Sequence, residues 1–175
     1  MGVLVAGCAG DEPIETAQPG TTAVTAPTSS ADPDAGLWDP CTLPDSALSA
    51  AGIDTSTEEK DVARVDFEGW NVCAWKDVAK TYTLTMYSTA SHAIEDVRAR
   101  SDYTDFLDTT VSTFQALQSR PAGSAHDYSC YISLEVPWGM VEFNVLNRHS
   151  AKNAGDPCVE VRRQAEALVG FVPNH

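Results

Sequence analysis

The chain has 175 residues, 43% of them hydrophobic and 21% charged, the proportions of an ordinary globule. Its net charge of −14, from 25 acids against 11 bases, sets up a field that repels nucleic-acid backbones and anionic lipid surfaces, so no nucleic-acid partner is expected. The acids are spread along the chain and read as a solvated surface, and no apolar run reaches the roughly 18 residues of a spanning helix.

Residues 1–8 close on Leu4-Val5-Ala6-Gly7-Cys8, small residues ahead of a cysteine, which resembles a bacterial lipobox. The basic region and most of the apolar region of a secretory signal do not precede it, so residues 1–8 read as the end of a truncated signal peptide. Cys8 is then the expected lipidation site and mature N-terminus. Residues 9–37 carry Pro13, Pro19, Pro27 and Pro33, several Ser/Thr runs, five acids and no base. Such a composition cannot bury a core, and it predicts a disordered tether reaching roughly 30 Å from the membrane. Its Ser/Thr and Pro content also suits an O-glycosylated stalk.

The remaining residues, 38–175, suffice for one domain. Thr42 followed by Asp45 offers a capping hydroxyl and a carboxylate three residues on, predicting a short helix to Ala51. Leu43, Ala47, Leu48 and Ala51 form its apolar face, and Gly52 suits a left-handed cap. From Trp70 to Tyr87 the pattern has period two, which predicts a hairpin with Lys76–Lys80 as its loop. Ala90, Ala93, Ile94 and Val97 then recur at helical spacing behind Ser88 or Ser91 as caps, predicting a second helix to about Tyr103.

Asp105 to Ala125 reads two ways. Val111, Phe114 and Leu117 fit a helix, whereas Thr109-Thr110-Val111 favours a strand, and Pro121 ends either. A second hairpin follows, in which Cys130, Ile132, Leu134 and Val136 share one face. Pro137-Trp138-Gly139 turns, and Val141, Phe143 and Val145 return. Asp156 and Pro157 open a last helix, whose stripe Cys158, Val161, Ala165 and Leu168 ends near Gly170 and Pro173. Hairpins with helices before, between and after them predict an α+β domain with an antiparallel sheet.

The four cysteines of the domain, Cys41, Cys73, Cys130 and Cys158, lack the close Cys-x-x-Cys pairs of zinc or redox sites. Two disulfides in an oxidising compartment are expected, with four buried thiols as the alternative. Three pairings are open. Sequential pairing, Cys41 with Cys73 and Cys130 with Cys158, is the one expected, because it ties each helix opened by Asp-Pro-Cys to a strand. The crossed pairing, Cys41 with Cys158 and Cys73 with Cys130, joins the two helix starts instead.

Taken in order, the lipobox, the Thr/Pro/Ser tether, Asp39-Pro40-Cys41, Cys73-Ala74-Trp75, Cys130 on a strand and Asp156-Pro157-Cys158 before an Ala-rich helix resemble one family, domain of unknown function 3558. Its members are actinobacterial envelope lipoproteins, and the resemblance spans residues 37–173 plus the anchor. It implies an extracytoplasmic, membrane-attached location through Cys8 and no established activity or cofactor.

Candidate chemistry is sparse. Ser124, His126 and Asp127 have the residue types of a hydrolytic triad but lie within four positions, too close for a relay, and no Gly-x-Ser-x-Gly elbow occurs. His92, His126, His149 and His175 show no metal-ligand spacing. Glu58-Glu59 and Glu95-Asp96 read as solvated faces. Trp70 at a strand start and Trp138 at a hairpin tip are the two candidate aromatic anchors, although a turn tryptophan often folds back over its own sheet. The expectation is a non-enzymatic binding or accessory module with an envelope protein, lipid or glycan partner, the alternative being an envelope hydrolase without a recognisable motif.

Overall fold

The computed structural model describes residues 36–61, 65, 67–151 and 154–174. Cys8, the segments expected to be a signal remnant and a tether as far as residue 35, and His175 lie outside the described residues. The domain starts with a 3-10 turn at Pro40–Thr42, where the Asp39 carboxylate accepts the Cys41 N–H at 2.9 Å. Thr42 does not cap the first helix. Its hydroxyl donates to the Asp39 carbonyl at 2.7 Å, and α1 (Asp45–Ala50) begins only after Pro44. The proline explains the shift, because the residue before a proline is driven out of the helical region, and Leu43 is extended with ψ 136°. The expected apolar face is otherwise in place, with Leu43, Leu48 and Ala51 buried and Ala47 packed against the core. Gly52 closes the helix at φ +83°.

Among the described residues, seven strands form one antiparallel sheet: β1 (Ile53–Lys60), β2 (Asn71–Asp77), β3 (Tyr82–Thr89), β4 (Tyr103–Val111), β5 (Phe114–Pro121), β6 (Ser129–Val136) and β7 (Gly139–Asn147). Their order is β1-β2-β3-β7-β6-β5-β4. The α+β class is as expected, and both expected hairpins, β2–β3 and β6–β7, sit side by side at the centre through β3–β7 pairing. Asp77, inside the expected loop, ends β2 and organises the first turn. Its carboxylate accepts the N–H groups of Ala79, Thr81 and Tyr82.

The ambiguous 105–125 stretch is a third hairpin, β4–β5, turning at Ser112 with φ +55°. Val111 and Phe114, three apart in sequence, face each other across that turn, so a helix-like spacing arises from strand register. β1 and β4 are the sheet edges. Both carry a register irregularity, at Asp54/Glu59 and at Thr104/Leu107, and exposed charges that blunt them against edge-to-edge pairing.

The second helix, α2 (Ile94–Ala99), is shorter than its spacing suggested. Of the two expected caps, Ser88 is taken by strand pairing with Val141 of β7, and Ser91 lies two residues ahead of the Ala93 cap position, its N–H donating to the Thr89 hydroxyl at 3.1 Å. The Asp96 carboxylate accepts the Ala93 N–H at 2.9 Å and starts the helix there instead. The chain then reaches Tyr103 already in β4. The last helix, α3 (Pro157–Leu168), has the expected Asp156 cap, Pro157 start and fully covered stripe.

The two faces of the sheet are covered differently. On one, α1 and α3 close over Trp75, Leu84, Met86, Ile132, Leu134 and Phe143. Cys41–Cys73 and Cys130–Cys158 staple this layer, with Cα atoms 5.3 and 5.0 Å apart, so the pairing is sequential. Loops of this length contribute about 3–4 kcal/mol each by limiting the unfolded chain. On the other face, α2 carries the chain from central β3 to the far edge strand β4. Its Ile94 and Val97 pack on Leu117 and Met140, with Trp70, Tyr103 and Phe106 beside them.

Gly139 opens β7 at φ +147°, where a Cβ would lie 2.1 Å from the Thr89 carbonyl oxygen and 2.8 Å from the Ala90 Cα. The contact is with backbone of the neighbouring strand, so no side-chain rotation relieves it. Gly139→Ala is expected to cost at least about 3 kcal/mol in urea unfolding at unchanged m-value. A loss below about 1 kcal/mol would contradict this packing of β7 on β3.

Candidate functional site

β7 has strands on both sides, so its side chains leave the sheet only upward or downward. Val141, Phe143 and Val145 enter the α1/α3 core, and the alternation sends Met140, Glu142 and Asn144 to the α2 face. Glu142 is only 6% exposed. The Ser133 hydroxyl, directly across on β6, donates to Glu142 Oε2 at 2.6 Å. Tyr87 of β3 is its partner on the other side.

Aromatic rings stand around this carboxyl. Trp70, at the entry to β2, meets Tyr87 edge to face with centroids 6.2 Å apart, and Tyr103 meets Tyr131 likewise at 5.1 Å. His92, ahead of α2, stacks on Trp70 at 5.2 Å and 19°. Arg100, just after α2, lies over the Tyr103 ring at 4.8 Å. Its Nε and Nη2 both donate to the Asp102 carboxylate, at 2.9 and 2.6 Å. Two adjoining cavities of about 380 and 260 Å³ share Trp70, Arg100, Tyr103 and Glu142 as walls. The larger extends to His92, Asp96 and Met140, the smaller to Phe67, Tyr87 and Tyr131.

Burial pushes the Glu142 carboxyl up to about 7, against the opposing pull of the Ser133 hydrogen bond and of the Arg100 charge. Burial also raises the phenols of Tyr87, Tyr103 and Tyr131, with the nearby Glu142 adding to each. Arg100 is held firmly charged by its hydrogen bonds to Asp102. The site therefore combines aromatic faces, one cation already matched by an outer carboxylate, and one buried acid that changes charge near neutral pH. Such a site is suited to holding a small molecule.

The two tryptophans singled out in the sequence divide. Trp70 walls both cavities, whereas Trp138 packs against the α1/α3 core and its indole N–H donates to the Pro173 carbonyl at 3.0 Å. Ser124, His126 and Asp127 lie exposed in the β5–β6 loop, and no hydrogen bond joins their side chains among the described residues. The Asp127 and His126 carbonyls instead accept from Asn147 and Arg120. His149 stands beside Tyr128, away from the Glu142 site. Glu95 is exposed, while its neighbour Asp96 borders the larger cavity. Glu58 accepts from the Trp75 indole at 3.3 Å and lies near Cys41 and Cys73, but the disulfide between those two consumes both thiols as metal ligands. Another cavity of about 450 Å³, near Tyr128, has its Asn147 amide already bonded to the Asp127 and Gly155 carbonyls.

Glu142, Arg100, Tyr87, Tyr103 and Tyr131 are functional candidates that sequence reasoning missed. A glutamate inside an alternating strand looks like its wet face. The available signal was that this nominally wet face also carries Met140 on β7, Tyr131 on β6 and Tyr87 on β3, too much apolar area to leave uncovered.

Fold and cavity together define a small disulfide-bonded α+β domain with an aromatic-walled site on one sheet face. The chain belongs to the family described as Protein of unknown function (DUF3558), whose model matches residues 3–170. No curated protein and no solved structure is similar enough to match.

The Glu142 environment fixes a pH dependence of stability. A carboxyl raised from 4.5 to about 7 in the folded state binds its proton more tightly there than in the unfolded chain. Its stabilising contribution is thus complete below about pH 4.5 and lost as pH rises through 7. At about 1.4 kcal/mol per pH unit, the loss over that interval is on the order of 3 kcal/mol. Thermal unfolding should give a lower Tm at pH 8 than at pH 5.5, and Glu142→Gln should flatten the slope and raise Tm at pH 8. A variant less stable than the parent at pH 8 would refute the buried, uncompensated charge.

Proposed function

We propose that the chain is a lipoprotein of the cell envelope, anchored through Cys8 on the extracytoplasmic side, and that its domain is a non-catalytic binding module for a small ligand at the Glu142 cavity. The single observation that carries the binding reading is the convergence of Trp70, Tyr103, Arg100 and Glu142 on two adjoining cavities. The order of lipobox, proline-rich tether and disulfide-stapled domain supports the anchor and the oxidising compartment. The acidic charge supports attachment through a lipid chain and not through an electrostatic surface.

The anchor is tested by expressing the gene with its upstream codons in a lipoprotein-processing host. The parent should partition into detergent, and Cys8→Ala should remain in the aqueous phase. Equal partitioning would remove Cys8 as the anchor. More than one acyl chain is needed for stable attachment.

The cavity is tested by a fragment screen followed through NMR shifts of the soluble domain. Hits should converge on resonances of Trp70, Tyr103 and the residues flanking Glu142. Hits scattered elsewhere, or none, would defeat the binding reading. One observation favours a hydrolase as second reading: a buried carboxyl near 7 suits a general acid, and Asp96 borders the same cavity. Its Asp96 is largely exposed and occupied at the start of α2, however, where it accepts the Ala93 N–H. Turnover of any ester, glycoside, peptide or phosphate substrate that Glu142→Gln abolishes would establish the hydrolase in place of the binding module.

A further inference from the structure

We propose that the Glu142 cavity takes a small organic ammonium ion, with Glu142 as its counter-charge and the surrounding rings as its cage. This inference rests on the binding reading above and specifies its ligand class. Three observations carry it.

The first is the wall. Trp70 with Tyr87, and Tyr103 with Tyr131, form two edge-to-face pairs around one carboxyl. Ring faces are negative, so rings grouped around a cavity attract a cation that has left its water behind. The chain itself displays this preference, since Arg100 lies over Tyr103 at 4.8 Å.

The second is the missing partner for Glu142. Its surroundings, element by element, are Tyr87 from β3, Ser133 and Tyr131 from β6, Tyr103 from β4, Arg100 after α2, and His92 with Asp96 at the α2 start. Arg100 is the permanent cation among them; it borders both cavities, but its Nε and Nη2 are hydrogen-bonded to Asp102 and not to Glu142. Glu142 keeps only the neutral Ser133 hydroxyl as its hydrogen-bond donor among the described residues. An ammonium ion supplies what that carboxylate lacks, whereas an anionic ligand would meet it as a like charge.

The third is the whole-molecule field. A net charge of −14 raises the local concentration of cations around the domain and speeds their arrival. Burial holds Glu142 protonated below neutrality, so cation binding must release that proton and strengthens as pH rises.

The test uses choline chloride and its neutral isostere 3,3-dimethyl-1-butanol, titrated into the soluble domain at pH 8 and pH 5.5 by calorimetry, with Trp70 and Tyr103 resonances followed by NMR. Choline should bind at least about tenfold more tightly than the isostere, a gap set by the charge alone. Its affinity should fall about tenfold or more at pH 5.5. Glu142→Gln should lose choline by about tenfold while its Tm at pH 8 rises, a combination that misfolding cannot produce. Ethanolamine and glycerophosphoethanolamine separate two sources of the amine. Tighter binding of the second assigns a lipid headgroup, and tighter binding of the first a free amine.

Isostere binding equal to choline at the same resonances would overturn the ammonium inference and leave the binding module standing. Choline affinity unchanged in Glu142→Gln would overturn it as well. Absence of shifts at Trp70 and Tyr103 with every amine would also end it, and the fragment screen would then decide the binding reading by itself.

Discussion

The period of a β-strand, applied to the central strand β7, is the constraint from which most of this structure follows. Because β3 and β6 flank it, no side chain of β7 can reach water along the sheet plane. Val141, Phe143 and Val145 go to one layer and Met140, Glu142 and Asn144 to the other, each of them at most 6% exposed. A one-residue slip would exchange the two sets and place a carboxylate in the α1/α3 core. Gly139 helps to fix that register, since its missing Cβ lets β7 start against the Thr89 carbonyl.

The two faces are built with different materials. The α1/α3 face is apolar and tied down covalently by both disulfides, with polar ties at its rim. Gln164 of α3 donates to the Ala51 carbonyl at 3.1 Å and to the Tyr82 hydroxyl at 2.7 Å. The buried Arg120 guanidinium reaches the Asp156 cap at 2.8 Å. Burial works to raise that carboxyl, but Arg120 and the Cys158 N–H hold it below the ordinary carboxylate range. The α2 face is smaller and polar at its centre, where Ser133, Asn144 and Glu142 are buried. Stability concentrated on one side frees the other to keep a destabilising acid, the arrangement common at sites that bind.

Legibility in the sequence followed the same division. The two central hairpins and α3 could be read because their apolar residues alternate or repeat against a single core, and Asp-Pro-Cys marks the helix start. β1 escaped notice because Asp54 to Lys60 forms a polar edge strand with Ile53 as its one buried residue. β4 was ambiguous for the same reason, being exposed along most of its length. The site was illegible for a different reason. Trp70 was noticed as an aromatic anchor, but nothing local to Glu142 records that α2 crosses above it, since this depends on β4 pairing at the far edge of the sheet. Burial of Glu142 is thus a product of topology, and the Tyr-rich second face was its only trace in sequence.

A carboxyl fixed at the middle of the sheet is hydrogen-bonded to the neutral Ser133 hydroxyl and, among the described residues, to no cation. A carboxyl-detected NMR titration of the soluble domain, with the signal assigned through Glu142→Gln, measures this directly. The expected midpoint for Glu142 is about 7. A midpoint at or below 4.5 would show instead that Arg100 or solvent already satisfies the charge.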